Sequence, residues 1–153
     1  MPRHSETRHL PYSPEQLFDL VADVGRYDEF LPWVVAVRIR SSSETETVAD
    51  LVVGFSAFKE RFTSRVVKHR PDRICVDYVE GPLKYLHNEW EFGPAADGGT
   101  NLHFSVDFAF KSRLFETLAG QMFDRALRRM TSAFERRAAV LYGINSSSAQ
   151  SAA

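Results

Sequence analysis

The chain has 153 residues, 44% hydrophobic and 25% charged, with one cysteine and a formal net charge of -1. That length and balance suit one globular domain. They exclude an intramolecular disulfide, a multi-thiolate metal site and nucleic-acid binding through the overall field, so any such binding needs a local patch.

The first ten residues, MPRHSETRHL, read as a strand and lack the apolar core of a secretory signal. No apolar run approaches the ~20 residues that span a bilayer. The expectation is a cytoplasmic protein, with peripheral contact at the inner membrane left open. In YSPEQLFDLVADVGRYDEFLPW, Ser13 is an N-cap with Pro14 at the first helical position. Leu17, Phe18, Leu20 and Val21 follow at helical spacing. A second short helix holds Val24, Tyr27, Phe30 and Leu31, and Pro32 stops it.

From Trp33 to Phe110 the period shortens to two. VVAVRIRS, TVADLVVGF, FKERFTSRVVKH, RICVDYVE, YLHNEWEF and NLHFSVDFAF read as strands separated by turns. The last is the clearest. Leu102, Phe104, Val106, Phe108 and Phe110 alternate with His103, Ser105, Asp107 and Ala109, the pattern of a sheet with one wet face. From Ser112 to Tyr142 a long helix carries Phe115, Leu118, Met122, Ala126, Met130, Ala133 and Leu141 near one stripe. The order predicts an α+β fold, a curved antiparallel sheet wrapped around a long C-terminal helix, as one domain over residues 1–145. The small-residue stretch 146–153 is expected to be a disordered tail. A sheet gripping one helix leaves room for a ligand between them.

Catalytic chemistry has no visible centre. His4, His9, His69, His87 and His103 show no metal-ligand spacing on a helix. His87 and His103 fall on the presumed wet face, where Glu89, Glu91 and Asp107 can join them. Nothing there excludes solvent or tunes a proton-transfer group. Cys75 lies between Ile74 and Val76 with no feature that activates a thiolate. Glu60 and Ser64 share a strand face with Phe58 and Phe62. They either anchor a ligand's polar head or pair with one another or with water. Ala119, Ala126 and Ala133 either let the helix lie close to the sheet or leave a cavity. Arg125, Arg128, Arg129, Arg136 and Arg137 make either a solvated helix face or a phosphate-binding patch.

Three segments carry a resemblance. YSPEQLFDLVADVGRYDEFLPW, VEGPLKYLHNEWEF and MTSAFERRAAVLYG, in that order, resemble the coenzyme Q-binding START-like family of the polyketide cyclase/lipid-transport superfamily. Leu83 stands where that family commonly has Phe, and Val34 where Cys often follows Leu-Pro-Trp. No mitochondrial presequence is seen, so the chain resembles the short bacterial form. The resemblance implies a helix-grip fold and a non-enzymatic protein that binds ubiquinone or a related isoprenoid lipid in support of respiratory electron transfer, with no other cofactor. It equally implies the alternative of a RatA-type toxin that binds ribosomal subunits and blocks their association.

Pattern and resemblance together give an expected lining of Val35, Phe62, Tyr78, Trp90, Phe104, Phe108, Leu118, Met122, Ala126 and Met130. The turn at Gly81 and Pro82 is expected to set Leu83, Tyr85 and Leu86 as an apolar lip at the cavity mouth, with Lys84 keeping it soluble or meeting a lipid phosphate. Each buried CH₂ contributes roughly 0.8 kcal/mol, against ~1 kcal/mol for one hydrogen bond to a quinone oxygen. Burial of several isoprene units is therefore expected to dominate affinity.

Overall fold

A computed structural model describes residues 3–55 and 58–143. The tail expected over 146–153 lies outside the described residues. Seven strands form one curved antiparallel sheet. They are β1 (Arg3–Leu10), β2 (Val34–Ser42), β3 (Glu46–Phe55), β4 (Phe58–His69), β5 (Arg73–Glu80), β6 (Leu83–Pro94) and β7 (Thr100–Phe110). The spatial order is β1-β7-β6-β5-β4-β3-β2. From β2 to β7 every strand pairs with its sequence neighbour, and β1 closes against β7. The two ends of the sheet are β1 and β2. Strand β2 slips register against β3 twice, between Val34 and Ala36 and between Ile39 and Ser41.

Between β1 and β2 the chain forms α1 (Pro14–Ala22) and then a 3-10 helix, Val24–Glu29. Helix α1 starts where the sequence places it. The Ser13 hydroxyl accepts from the Gln16 N–H at 3.1 Å, and the Gln16 side chain accepts from the Ser13 N–H at 3.0 Å. This reciprocal pair satisfies two orphan donors of the first turn. Leu17, Phe18, Leu20 and Val21 are buried, and Phe18 packs edge-on against Phe92 at 5.7 Å.

The single long helix expected at the C-terminus is two, α2 (Arg113–Arg128) and α3 (Met130–Tyr142). The break is at Arg129. Its N–H is shared between the carbonyls of Arg125 and Ala126, the tightening with which a helix turn ends. Helix α3 is fastened from several sides. Arg8 on β1 donates to Glu135 at 2.7 Å and to Ser132 at 3.2 Å. Arg137 donates to Glu29 at 2.5 Å and lies over the Phe30 ring. Tyr142 donates to the Gln16 carbonyl at 3.0 Å. Helix α2 is held mainly by Phe123, whose ring meets Phe108, Phe110 and Phe62.

On the outer face Asp50 is buried, at 3% exposure. It accepts from Thr63 at 2.6 Å and from Arg40 at 2.9 Å. Burial pushes its carboxyl up, but the Thr63 hydroxyl and Arg40 guanidinium outweigh that and hold it below the usual carboxylate range. A lowered folded value stabilises the fold above the unfolded aspartate pKa of ~3.9, and that stabilisation is lost as pH falls through the folded value. Asp50→Asn is therefore expected to lose about 1–3 kcal/mol at pH 7 in urea unfolding, with the gap to the parent closing near pH 2. A gap independent of pH would mean that the carboxylate charge contributes nothing.

Candidate ligand cavity

The concave face of the sheet and the α2–α3 pair line a partly open cavity of about 140 Å³. Its floor is the inward face of the central strands: Leu51 and Val53 from β3, Phe62, Ser64 and Val66 from β4, Val76 from β5, and Leu86, Asn88 and Trp90 from β6. Period-two alternation puts these side chains on one side. Val24, Tyr27, Leu31, Trp33 and Val34 close one flank, and Phe123, Ala126, Leu127, Met130 and Phe134 form the helical roof. A cavity of ~150 Å³ takes one benzene ring. This one has room for a single ring or about one isoprene unit.

Polar groups in the lining are few. The Tyr27 hydroxyl donates to the Val21 carbonyl, and burial first, then Asp23, pushes its phenol well up. Tyr27 is the only titratable residue among the described lining residues. Ser64 and Asn88 supply the other polar side chains of the floor. The Asn88 Oδ1 is buried and has no hydrogen-bond partner among the described residues. An unpaired buried acceptor costs about 1–3 kcal/mol.

Residues 10–135 match the family model described as polyketide cyclase / dehydrase and lipid transport. The chain belongs to this family. It is 38% identical over 136 residues to the ribosome association toxin RatA of Rickettsia prowazekii, covering 86% of this chain and 92% of that one. It is 37% identical over 147 residues to the mitochondrial coenzyme Q-binding protein COQ10 homolog B of Xenopus laevis, covering 92% of this chain. Of that relative's own length the match spans 59%. The solution structure of the 18 kDa protein CC1736 from Caulobacter crescentus superposes with a TM-score of 0.71 at 39% identity, over 94% of this chain and 99% of that one. Two relatives of different description thus stand at nearly equal identity.

Within this cyclase and lipid-transport fold, the expected lining residues separate into three groups. Phe62, Trp90, Ala126 and Met130 line the cavity. Tyr78, Phe104 and Phe108 stand behind it. Phe104 is fully buried against Trp90 at 4.6 Å, and Phe108 packs on Phe123 at 4.9 Å. Tyr78 meets the Phe62 ring at 6.1 Å, and its hydroxyl accepts from the Leu83 N–H at 2.7 Å.

The third group lies elsewhere. Val35 points outward at 49% exposure, and Val34 takes its place, because the slip after Val34 reverses the faces. Leu118 is 49% exposed, and Met122 is half-buried beside the roof without lining the cavity. The buried stripe is Ala119, Phe123, Ala126 and Leu127, about one position further along the helix than expected. The expected lip also does not form. Leu83 is fully buried and Pro82 half-buried, while Lys84 is exposed. Alternation with Leu86 puts the Tyr85 hydroxyl by Asp107 on the outer face, and the register slip between Leu83 and Tyr85 turns Leu83 inward, so only Leu86 of the expected lip reaches the cavity. Gly81 is essential to this turn. Its φ is 147°, and a Cβ would sit 2.7 Å from the Tyr78 hydroxyl oxygen and 2.8 Å from the Arg61 carbonyl oxygen. Glu60 is exposed, leaving Ser64 as the floor's contribution from that pair.

The sequence reading missed Asn88. It alternates with Leu86 and Trp90, which was the available signal. On the opposite, wet face His87 lies between Asp77 at 2.6 Å and Glu89 at 2.9 Å. Glu89 and then Asp77 raise its pKa above the ordinary value, since both ring nitrogens donate when protonated. Burial, and next Glu89, push the Cys75 thiol up, away from reactivity. The whole sheet separates these groups from the cavity. No helix among the described residues is long and apolar enough to cross a membrane.

Proposed function

We propose that the protein binds the ring of a prenylated quinone, ubiquinone or a near relative, without catalysing its conversion. One observation carries this reading: a partly open, ring-sized apolar cavity whose described lining has no carboxylate, imidazole, amine or thiol. Proton-transfer catalysis needs a positioned titratable group, and Tyr27 is already committed to Val21. The likeness to a coenzyme Q-binding relative adds support. The volume moves the emphasis from tail to ring. Several isoprene units do not fit in about 140 Å³, so most of the tail stays outside, and the substituents of the ring need the open side of the cavity. The test is mass spectrometry of lipids extracted from natively purified protein, with titration of a one-isoprene-unit ubiquinone followed by Trp33 and Trp90 fluorescence. Copurified prenylquinone and saturable quenching are expected. Their joint absence would end this reading.

A second reading has its own observation. Arg125 in α2, Arg129 at the break and Arg136 in α3 are exposed and form no ion pair among the described residues. Such cations suit phosphate, which a ribosome-directed role like that in the RatA relative's name requires. Cosedimentation with ribosomal subunits that weakens steeply with salt would support it.

A further inference from the structure

Apart from the Trp90 indole, Ser64 and Asn88 are the polar side chains of the described floor, and the sheet sets how far apart they stand. Ser64 on β4 pairs with Tyr78 of β5, and Asn88 on β6 pairs with Val76 of β5. Val76 and Tyr78 are successive residues on one side of β5. Ser64 and Asn88 are therefore two strands apart across the sheet and two residues apart along it. At ~4.8 Å per strand and ~3.3 Å per residue their Cα atoms stand roughly 12 Å apart, and the curvature of the sheet draws the inward tips closer. The Asn88 Oδ1 is buried, so Nδ2 is the amide atom left to face the cavity. An amide nitrogen is a donor only, and a serine hydroxyl can donate as well. Neither of these donors has a partner among the described residues.

We propose that the cavity takes a ring with two acceptor oxygens in para positions, one accepting from Asn88 Nδ2 and the other from the Ser64 hydroxyl. The inference rests on the ring-binding reading above and sharpens it. The oxygens of a para-quinone stand roughly 5 Å apart, and a hydrogen bond of ~2.9 Å on each extends the reach to at most about 11 Å. That matches the span the register sets between the two donors. The ring then lies diagonally across β5, over Val76. Oxygens in ortho positions are too close together to reach both donors at once. A hydrocarbon ring strips both donors of water and returns no acceptor, which costs free energy at each.

The test is calorimetric titration of the full chain with a one-isoprene-unit ubiquinone, tetramethyl-para-benzoquinone and tetramethylbenzene. The proteins are the parent, Asn88→Leu, Ser64→Ala and the double variant. Thermal unfolding checks each fold, and Asn88→Ala replaces the leucine variant if that does not fold. Each single change is expected to weaken both quinones about fivefold, the loss of one hydrogen bond, and the double change about 25-fold. Tetramethylbenzene has no oxygen and is expected to bind the parent more weakly than its quinone and to lose no affinity in any variant. Small single losses with a large double loss would mean that the two residues serve one oxygen in turn, which overturns the para placement. So does a loss confined to one of the two residues. Unchanged quinone affinity in all three variants overturns the inference and leaves ring binding intact. Equal losses for tetramethylbenzene and the quinones do the same, because the residues would then shape the cavity and bind no oxygen. If no quinone binds the parent protein, the ring-binding reading falls and this inference falls with it.

Discussion

Ala126→Phe is expected to weaken binding of a one-isoprene-unit ubiquinone by 100-fold or more while leaving the protein folded. Ala126 is buried on the helical roof and lines the cavity. With about 140 Å³ available, a phenyl group grown from this position occupies the room a ligand ring needs. A hundredfold loss is about 2.7 kcal/mol. The fold has two opposed responses. Filling a void recovers about 24 cal/mol per Å³ of cavity removed, and overpacking costs about 1–3 kcal/mol. Thermal unfolding is therefore expected to change little, and the two effects are measured separately. Ala126→Leu fills less and is expected to give an intermediate loss. A folded Phe variant with parental affinity would place the ring outside this cavity.

The largest effect on stability is expected at Phe134. Its ring is 2% exposed and touches Trp90 at 4.8 Å, Phe30 at 5.0 Å and Tyr27 at 5.3 Å. It thus joins α3, the 3-10 helix and the centre of β6 at one point. Truncation to Ala removes the transfer term, leaves a hole and forfeits three edge-to-face contacts. The expected loss is about 3–5 kcal/mol, a large part of the 5–15 kcal/mol typical of a domain. Urea unfolding should show a lower midpoint with an unchanged slope. Leu114→Ala, at a side chain 69% exposed, is the control and should move stability by no more than about 0.5 kcal/mol. A loss below about 1 kcal/mol at Phe134 would mean that its neighbours collapse into the space.

The α+β order was legible in the sequence because its signals are local. Ser13 and Gln16 form the capping pair that marks the start of α1, and β7 alternates without interruption. What failed were the places where local periodicity is interrupted. A register slip reverses the face of every residue beyond it until the next slip. That is why Val34 and not Val35 faces inward, and why Leu83 is core and not lip. Neither slip has a signature in the residue types alone.

The helical roof failed for a different reason. Leu114, Leu118 and Met122 run beside Ala119, Phe123 and Leu127, so two adjacent stripes compete for the sheet. Contact with the sheet aromatics Phe62 and Phe108 decides for Phe123, and tertiary contacts are absent from a helical period. The break at Arg129 has no proline or glycine to announce it. Asn88 was hidden because a single polar residue in an apolar strand reads as noise until its neighbours are known to leave it unpaired.

The two slips in β2 have a consequence beyond aiming Val34. An open sheet ends in strands whose free edges are templates for self-association. An edge with interrupted spacing cannot match a regular partner over more than a few residues. Strand β2 adds exposed Arg38 to that irregular edge, so a second copy docking there meets like charge. The slip that brings Val34 to the cavity thereby also makes this edge a poor template for polymerisation, and a repair that restored regular pairing along β2 would trade part of the cavity wall for an aggregation hazard.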